Sequence, residues 1–116
     1  MARYLVLIYG DEQVWASAPQ QWHEENSRRH AAFVSEAGDA VLGGAELQPS
    51  ATATSVRGGL SEQVIVTDGP FVETKEAIGG YYLLEASDDA QAIELARRIP
   101  EASAPSSGVE VRRMVG

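Results

Sequence analysis

The sequence contains no cysteine and only two histidines, so disulfide staples, thiolate nucleophiles, iron–sulfur clusters and cysteine-ligated zinc are excluded. Cations are scarce as well. Nine Lys and Arg stand against 17 Asp and Glu, a formal charge of -8, which is the wrong sign for neutralising a phosphate backbone. Direct binding of nucleic acid is therefore not expected. Long hydrophobic runs are missing too: the longest, Tyr4 to Tyr9, is far shorter than a bilayer span or the core of a signal peptide. A cytoplasmic protein with no membrane partner is expected. What is present is ordinary for one domain, 116 residues with 44% hydrophobic and 22% charged, enough to bury a core without a staple. Residues 1–116 read as a single domain.

The run Arg3 to Tyr9 is β-branched and aromatic and stops at Gly10-Asp11, as a short strand covered on both faces would. Asp11 to Ser17 reads as a loop carrying Trp15. Ser17 or Ala18 as cap and Pro19 in the first turn then predict a helix to about Ala37, closed by Gly38. Its apolar stripe carries Trp22, Asn26, His30, Phe33, Val34 and Ala37. Ala40 to Leu47 is a strand in which Gly43-Gly44 marks a bulge or a close backbone approach. Thr52 to Arg57 and Gln63 to Thr67 form a hairpin, and Tyr81 to Ala86 is an apolar strand entered through Gly79-Gly80. Ser87-Asp88-Asp89 caps a second helix to about Ile99, with Ala92, Ile93, Ala96 and Ile99 on its apolar face. A loop over Ala104 to Gly108 leads into a last strand, Val109 to Met114.

This order predicts an α+β fold: two βαβ-like halves around a hairpin, in a mixed or antiparallel sheet with both helices on one face. Strands apolar on both sides, with helices for only one, leave a face to be covered. A second copy of the chain is the economical cover, which makes a homodimer the expected partner.

Two places could carry chemistry. His30 sits with Asn26 on the buried helix stripe; an imidazole titrates near neutrality and serves as base or acid once a carboxylate fixes its tautomer. Its alternative is a core histidine bonded to backbone. His23 and His30 are two turns, about 10 Å, apart, so they cannot share one zinc whose ligands lie within about 2.1 Å of it; no metal and no cofactor is expected. The second place is the run Val66-Thr67-Asp68-Gly69-Pro70-Phe71-Val72-Glu73-Thr74-Lys75-Glu76. There Asp68 either forms the turn with Gly69 and Pro70 or works as a carboxylate.

The segment VTDGPFVETKEAIGGYYLLEA is very similar to the signature of the YCII-related proteins, in the branch with an Asp-Gly-Pro-Phe motif. The opening YLVLIYGDE, the RRHAAF of the first helix, GGAELQPSATATSVR, the RIP end of the second helix and the closing VEVR extend the resemblance over nearly the whole chain. It implies a ferredoxin-like fold that pairs into a dimeric α/β barrel. It further implies a cleft between sheet and helix with a His and an Asp as acid and base. Residue by residue, these are His30 and Asp68; Arg57 matches the end of the strand before the motif, Glu73, Lys75 and Glu76 its charged tail, and Tyr82 the tyrosine pair.

Two function classes follow. One is a cofactor-free isomerase, lyase or hydrolase acting on a small molecule. In it His30 is base or acid, Asp68 its counterpart, Arg57 or Lys75 the anchor for an anionic substrate, and Asn26, Glu73 and Tyr82 further binding residues. The other is a non-catalytic ligand-binding or signalling module, linked through the resemblance to sigma-factor regulation. A His30 open to a cavity and bonded to a carboxylate favours the first; a sealed His30 bonded to backbone favours the second.

Overall fold

The computed structural model describes residues 1–72 and 74–116. The elements run β1 (Ala2–Asp11), α1 (Glu12–Ser17), α2 (Gln20–Ala37), β2 (Val41–Glu46), β3 (Thr54–Arg57), β4 (Ile65–Asp68), β5 (Glu76–Ala86), α3 (Asp89–Ala96) and β6 (Ser107–Arg113). Four strands form one sheet in the order β2-β5-β1-β6, and β3 and β4 pair as a separate ribbon. Every pairing is antiparallel. The mixed alternative thus gives way to a wholly antiparallel, ferredoxin-like α+β arrangement.

Alternation along β1 decides where the core lies. Ala2, Tyr4, Val6 and Ile8 are buried, whereas Leu5, Leu7 and Tyr9 are only half-buried. The first set meets Phe33 of α2, Ala92, Leu95 and Ala96 of α3, and Leu84, Ala86 and Ile99 in one cluster. Both long helices therefore cover the same face. The Tyr4 hydroxyl donates to Asp89 Oδ1 at 2.6 Å, tying the sheet to the start of α3. Asp88 caps that helix by accepting from the Gln91 amide at 2.8 Å.

The structure corrects three details. The stretch expected as a loop around Trp15 is the short helix α1, begun by the Asp11 carboxylate accepting from the Gln13 amide at 2.9 Å, which satisfies an orphan first-turn donor. Gly10 lies inside β1 and the Gly79-Gly80 pair inside β5, with Gly79 at a register shift opposite Ile8 and Tyr9; a Cβ on Gly10 would lie 2.1 Å, and one on Gly79 2.5 Å, from the Trp15 ring. The glycines are there so that the indole of α1 can lie on the sheet. On α3, Ile93 is 58% exposed, and Leu95 takes the core position in its place.

The β3–β4 ribbon stands apart from this body. The radius of gyration is 16.0 Å, against about 13 Å for a compact chain of about 100 residues, and the ribbon's Val56, Ile65 and Val66 are all more than half exposed.

Gly79→Ala forces the Trp15 indole off the sheet. In a Trp22→Phe background, where Trp15 alone among the tryptophans emits, this substitution should shift the fluorescence to the red and cost about 1–3 kcal/mol in urea unfolding. Leu84→Ala, which empties a fully buried position, should cost about 2–5 kcal/mol with unchanged Trp15 emission.

Candidate active site

Helix α2 turns His23, Asn26, His30, Phe33 and Ala37 toward the sheet. The buried stripe is slightly rotated from the expected one, leaving Trp22 and Val34 at its margins, 36% and 41% exposed. His30 and Asn26 keep their predicted inward positions. Opposite them, β5 supplies Tyr82, which shares the core side of the sheet with Leu84. The Tyr82 ring packs at 5.0 Å from Phe33 and 5.8 Å from the His30 ring. Gly44 makes this possible, since a Cβ there would come within 2.8 Å of the Tyr82 ring.

The fourth member lies in the helical turn after α3. Glu101 is 5% exposed, the one charged or polar residue buried to that degree among the described residues. Its Oε2 accepts from Asn26 Nδ2 at 3.0 Å and stands 3.0 Å from His30 Nε2. Its Oε1 lies 2.7 Å from the same imidazole nitrogen yet has no hydrogen bond of its own. On the far side of the ring, Nδ1 is 2.7 Å from the Tyr82 hydroxyl. Ser107 Oγ donates to the Glu101 carbonyl at 2.9 Å and holds the turn.

Burial alone drives the Glu101 carboxyl upward, but the hydrogen bond and charge of His30 and the Asn26 amide outweigh it, and the carboxyl ends below its ordinary range. An ionised carboxylate only accepts hydrogen bonds. His30 must therefore carry a proton on Nε2, and in the neutral ring Nδ1 accepts from the Tyr82 hydroxyl. Burial, followed by the charge of Glu101, raises the Tyr82 phenol above its usual value, so it keeps its proton at neutral pH. The result is a chain of carboxylate, imidazole and phenol.

This chain opens into a cavity of about 580 Å³ whose lining includes Trp15, Trp22, Glu46, Gly80, His30 and Tyr82. Within the protomer His30 is bonded to Glu101 and not to Asp68. Asp68 sits at the end of β4 and lines a different, larger hollow of about 1150 Å³ with Tyr9, Pro49, Phe71 and Glu76. Arg57 lies 3.8 Å over the Phe71 ring. Lys75 is exposed ahead of β5 and is absent from the lining of both hollows. Glu73 lies outside the described residues. No cluster of three metal-ligating side chains occurs among the described residues.

Glu101 escaped the sequence reading because 71 residues separate it from His30, and it is one of 17 acids. One signal was available: a lone carboxylate inside the otherwise apolar run Ile99-Pro100-Glu101-Ala102.

A carboxyl held below its unfolded value of 4.5 contributes stability that is complete above that pH and is lost as pH falls through the lower folded value. Glu101→Gln removes this contribution. Its urea midpoint should lie below that of the natural protein at pH 7 and the two should converge toward pH 3; parallel curves would show that the carboxylate is not held by His30.

A family model for the YCII-related domain matches residues 2–115. An uncharacterized protein of Rhizobium meliloti (strain 1021) is 34% identical over 111 residues, covering 94% of this chain and 89% of that protein. With both the match and the relative spanning almost the full length, the chain belongs to the YCII-related domain family.

Proposed function

We propose that the protein is a cofactor-free enzyme that moves protons on a small molecule, with Tyr82 as the group that meets the substrate. The observation that carries this reading is the bonding of His30: both ring nitrogens engage side chains, a buried carboxylate on one side and a cavity-lining phenol on the other. A histidine kept only for packing would instead satisfy itself on backbone. In the reaction, a substrate proton passes to Tyr82 Oη as the phenolic proton passes to His30 Nδ1, and Glu101 stabilises the imidazolium formed. Run in reverse, the same chain acts as an acid. Isomerase, lyase and hydrolase chemistry all contain such a step. Asn26 positions the carboxylate, and Asp68 serves the turn of its own ribbon.

The Asp68-Gly69-Pro70-Phe71 run supports placement in the Asp-Gly-Pro-Phe branch of the family. Self-association has its own support. Leu5, Leu7, Tyr9, Tyr81 and Leu83 are half-buried on the sheet face opposite the helices, and the apolar β3–β4 ribbon projects beside the body. A second copy laid on that face covers both.

The catalytic reading is tested by solvent-deuterium exchange into a panel of enolisable ketones and lactones followed by proton NMR. The natural protein should accelerate exchange in at least one, and Tyr82→Phe and His30→Asn should each lower that rate by about 10²–10⁴-fold. No acceleration, or variants as fast as the natural protein, would return the cavity to a binding role. The assembly is tested by sedimentation velocity at micromolar concentration. A dimer is expected, together with a monomer of unchanged circular dichroism when Leu7 and Leu83 are both replaced by Lys; a natural monomer rules the pairing out.

A further inference from the structure

Resting on the reading of the His30 cavity as the working site, we propose that its ligand is a flat, unsaturated molecule bearing a positive charge, of the amidine or protonated N-heterocycle class. Carboxylate substrates are rejected. The charges around the cavity decide the sign. Its lining includes Glu46 and Glu101 but no Lys or Arg among the described residues. Arg57, the cation expected to anchor an anionic substrate, is committed to the Phe71 ring, and Lys75 lies elsewhere. A proton on His30 supplies no net attraction for an anion, because Glu101 stands against it at 2.7 Å. The formal charge of -8 over the whole chain adds a field of the same sign.

The walls decide the shape. The Trp15 ring lies against Gly10 and Gly79, and the Tyr82 ring against Gly44, each in space that a Cβ would fill. Trp22 stands edge-on to His23, 5.1 Å between centroids, at the rim. Indole and phenol faces bind cations through their quadrupoles, and Trp does so best. A volume of about 580 Å³ falls within the range of small-molecule sites, about 300–1,000 Å³.

Benzamidine, benzamide and benzoate test this directly, since they share one planar shape and differ in charge. Binding is read at pH 7 by indole fluorescence and by NMR of the His30 ring. Benzamidine should bind at least ten-fold more tightly than benzamide, benzoate should bind most weakly, and bound benzamidine should move both the His30 and indole signals. Glu46→Gln should narrow the benzamidine-to-benzamide ratio several-fold. Benzoate binding as well as benzamidine, an unchanged ratio in Glu46→Gln, or no movement of the His30 and indole signals by any of the three would overturn the assignment. Because only binding is read, a reversed ranking leaves the proton relay standing, and a failed relay with the ranking intact leaves the charge class standing.

Discussion

A carboxylate taken out of water must be paired, and Glu101 is the group on which this constraint falls. Removing an ion from water costs several kcal/mol, repaid only when attraction and hydrogen bonds are both well placed. Here the repayment comes from two other elements: α2 contributes His30 and Asn26, and through His30 the carboxylate reaches Tyr82 of β5. One buried charge thus fixes the spacing between the turn after α3, the long helix and the central strands. The same pairing makes the site chemically useful, because a carboxylate held ionised dictates which nitrogen of the imidazole carries the proton.

Space for a ligand comes from the absence of side chains. Gly10, Gly79 and Gly44 let two aromatic rings lie down on a sheet that would otherwise hold them off. Tertiary contact, not turn formation, explains these glycines: they occur inside strands, where glycine costs conformational entropy, because aromatic packing against the backbone offsets it. The cavity that results is lined by His30, Tyr82 and Glu101 together with both indoles, and carboxylates are its only fully charged members among the described residues.

Much of this was legible in the residues. Local signals located the six strands and both longer helices, with shifted ends: β5 starts at Glu76 rather than Tyr81, and α2 starts at Gln20 with Pro19 at its cap and no side-chain capping bond, whereas Asp88 caps α3 as expected. The inward positions of Asn26 and His30 followed from helical spacing. The acid partner did not, because the link from Glu101 to His30 is a product of topology: the chain must complete its second crossover before Pro100 to Ala102 can meet α2. Asp68 entered as the acid through the family resemblance, while its own turn chemistry spoke only for the local backbone; within the protomer it lines the hollow beside Phe71 and Glu76. Gly10 was read as a stop rather than as room for the Trp15 ring of the next element.

The central claim is that Glu101, His30 and Tyr82 form one directional chain, and the nitrogen-15 shifts of the His30 imidazole read it most directly. In the neutral ring the account predicts a proton fixed on Nε2 and a bare Nδ1 accepting from Tyr82. Tyr82→Phe should then move only the Nδ1 signal, and Glu101→Gln should let the two tautomers mix. A natural protein whose neutral His30 carries its proton on Nδ1, or averages freely between the two forms, would contradict it.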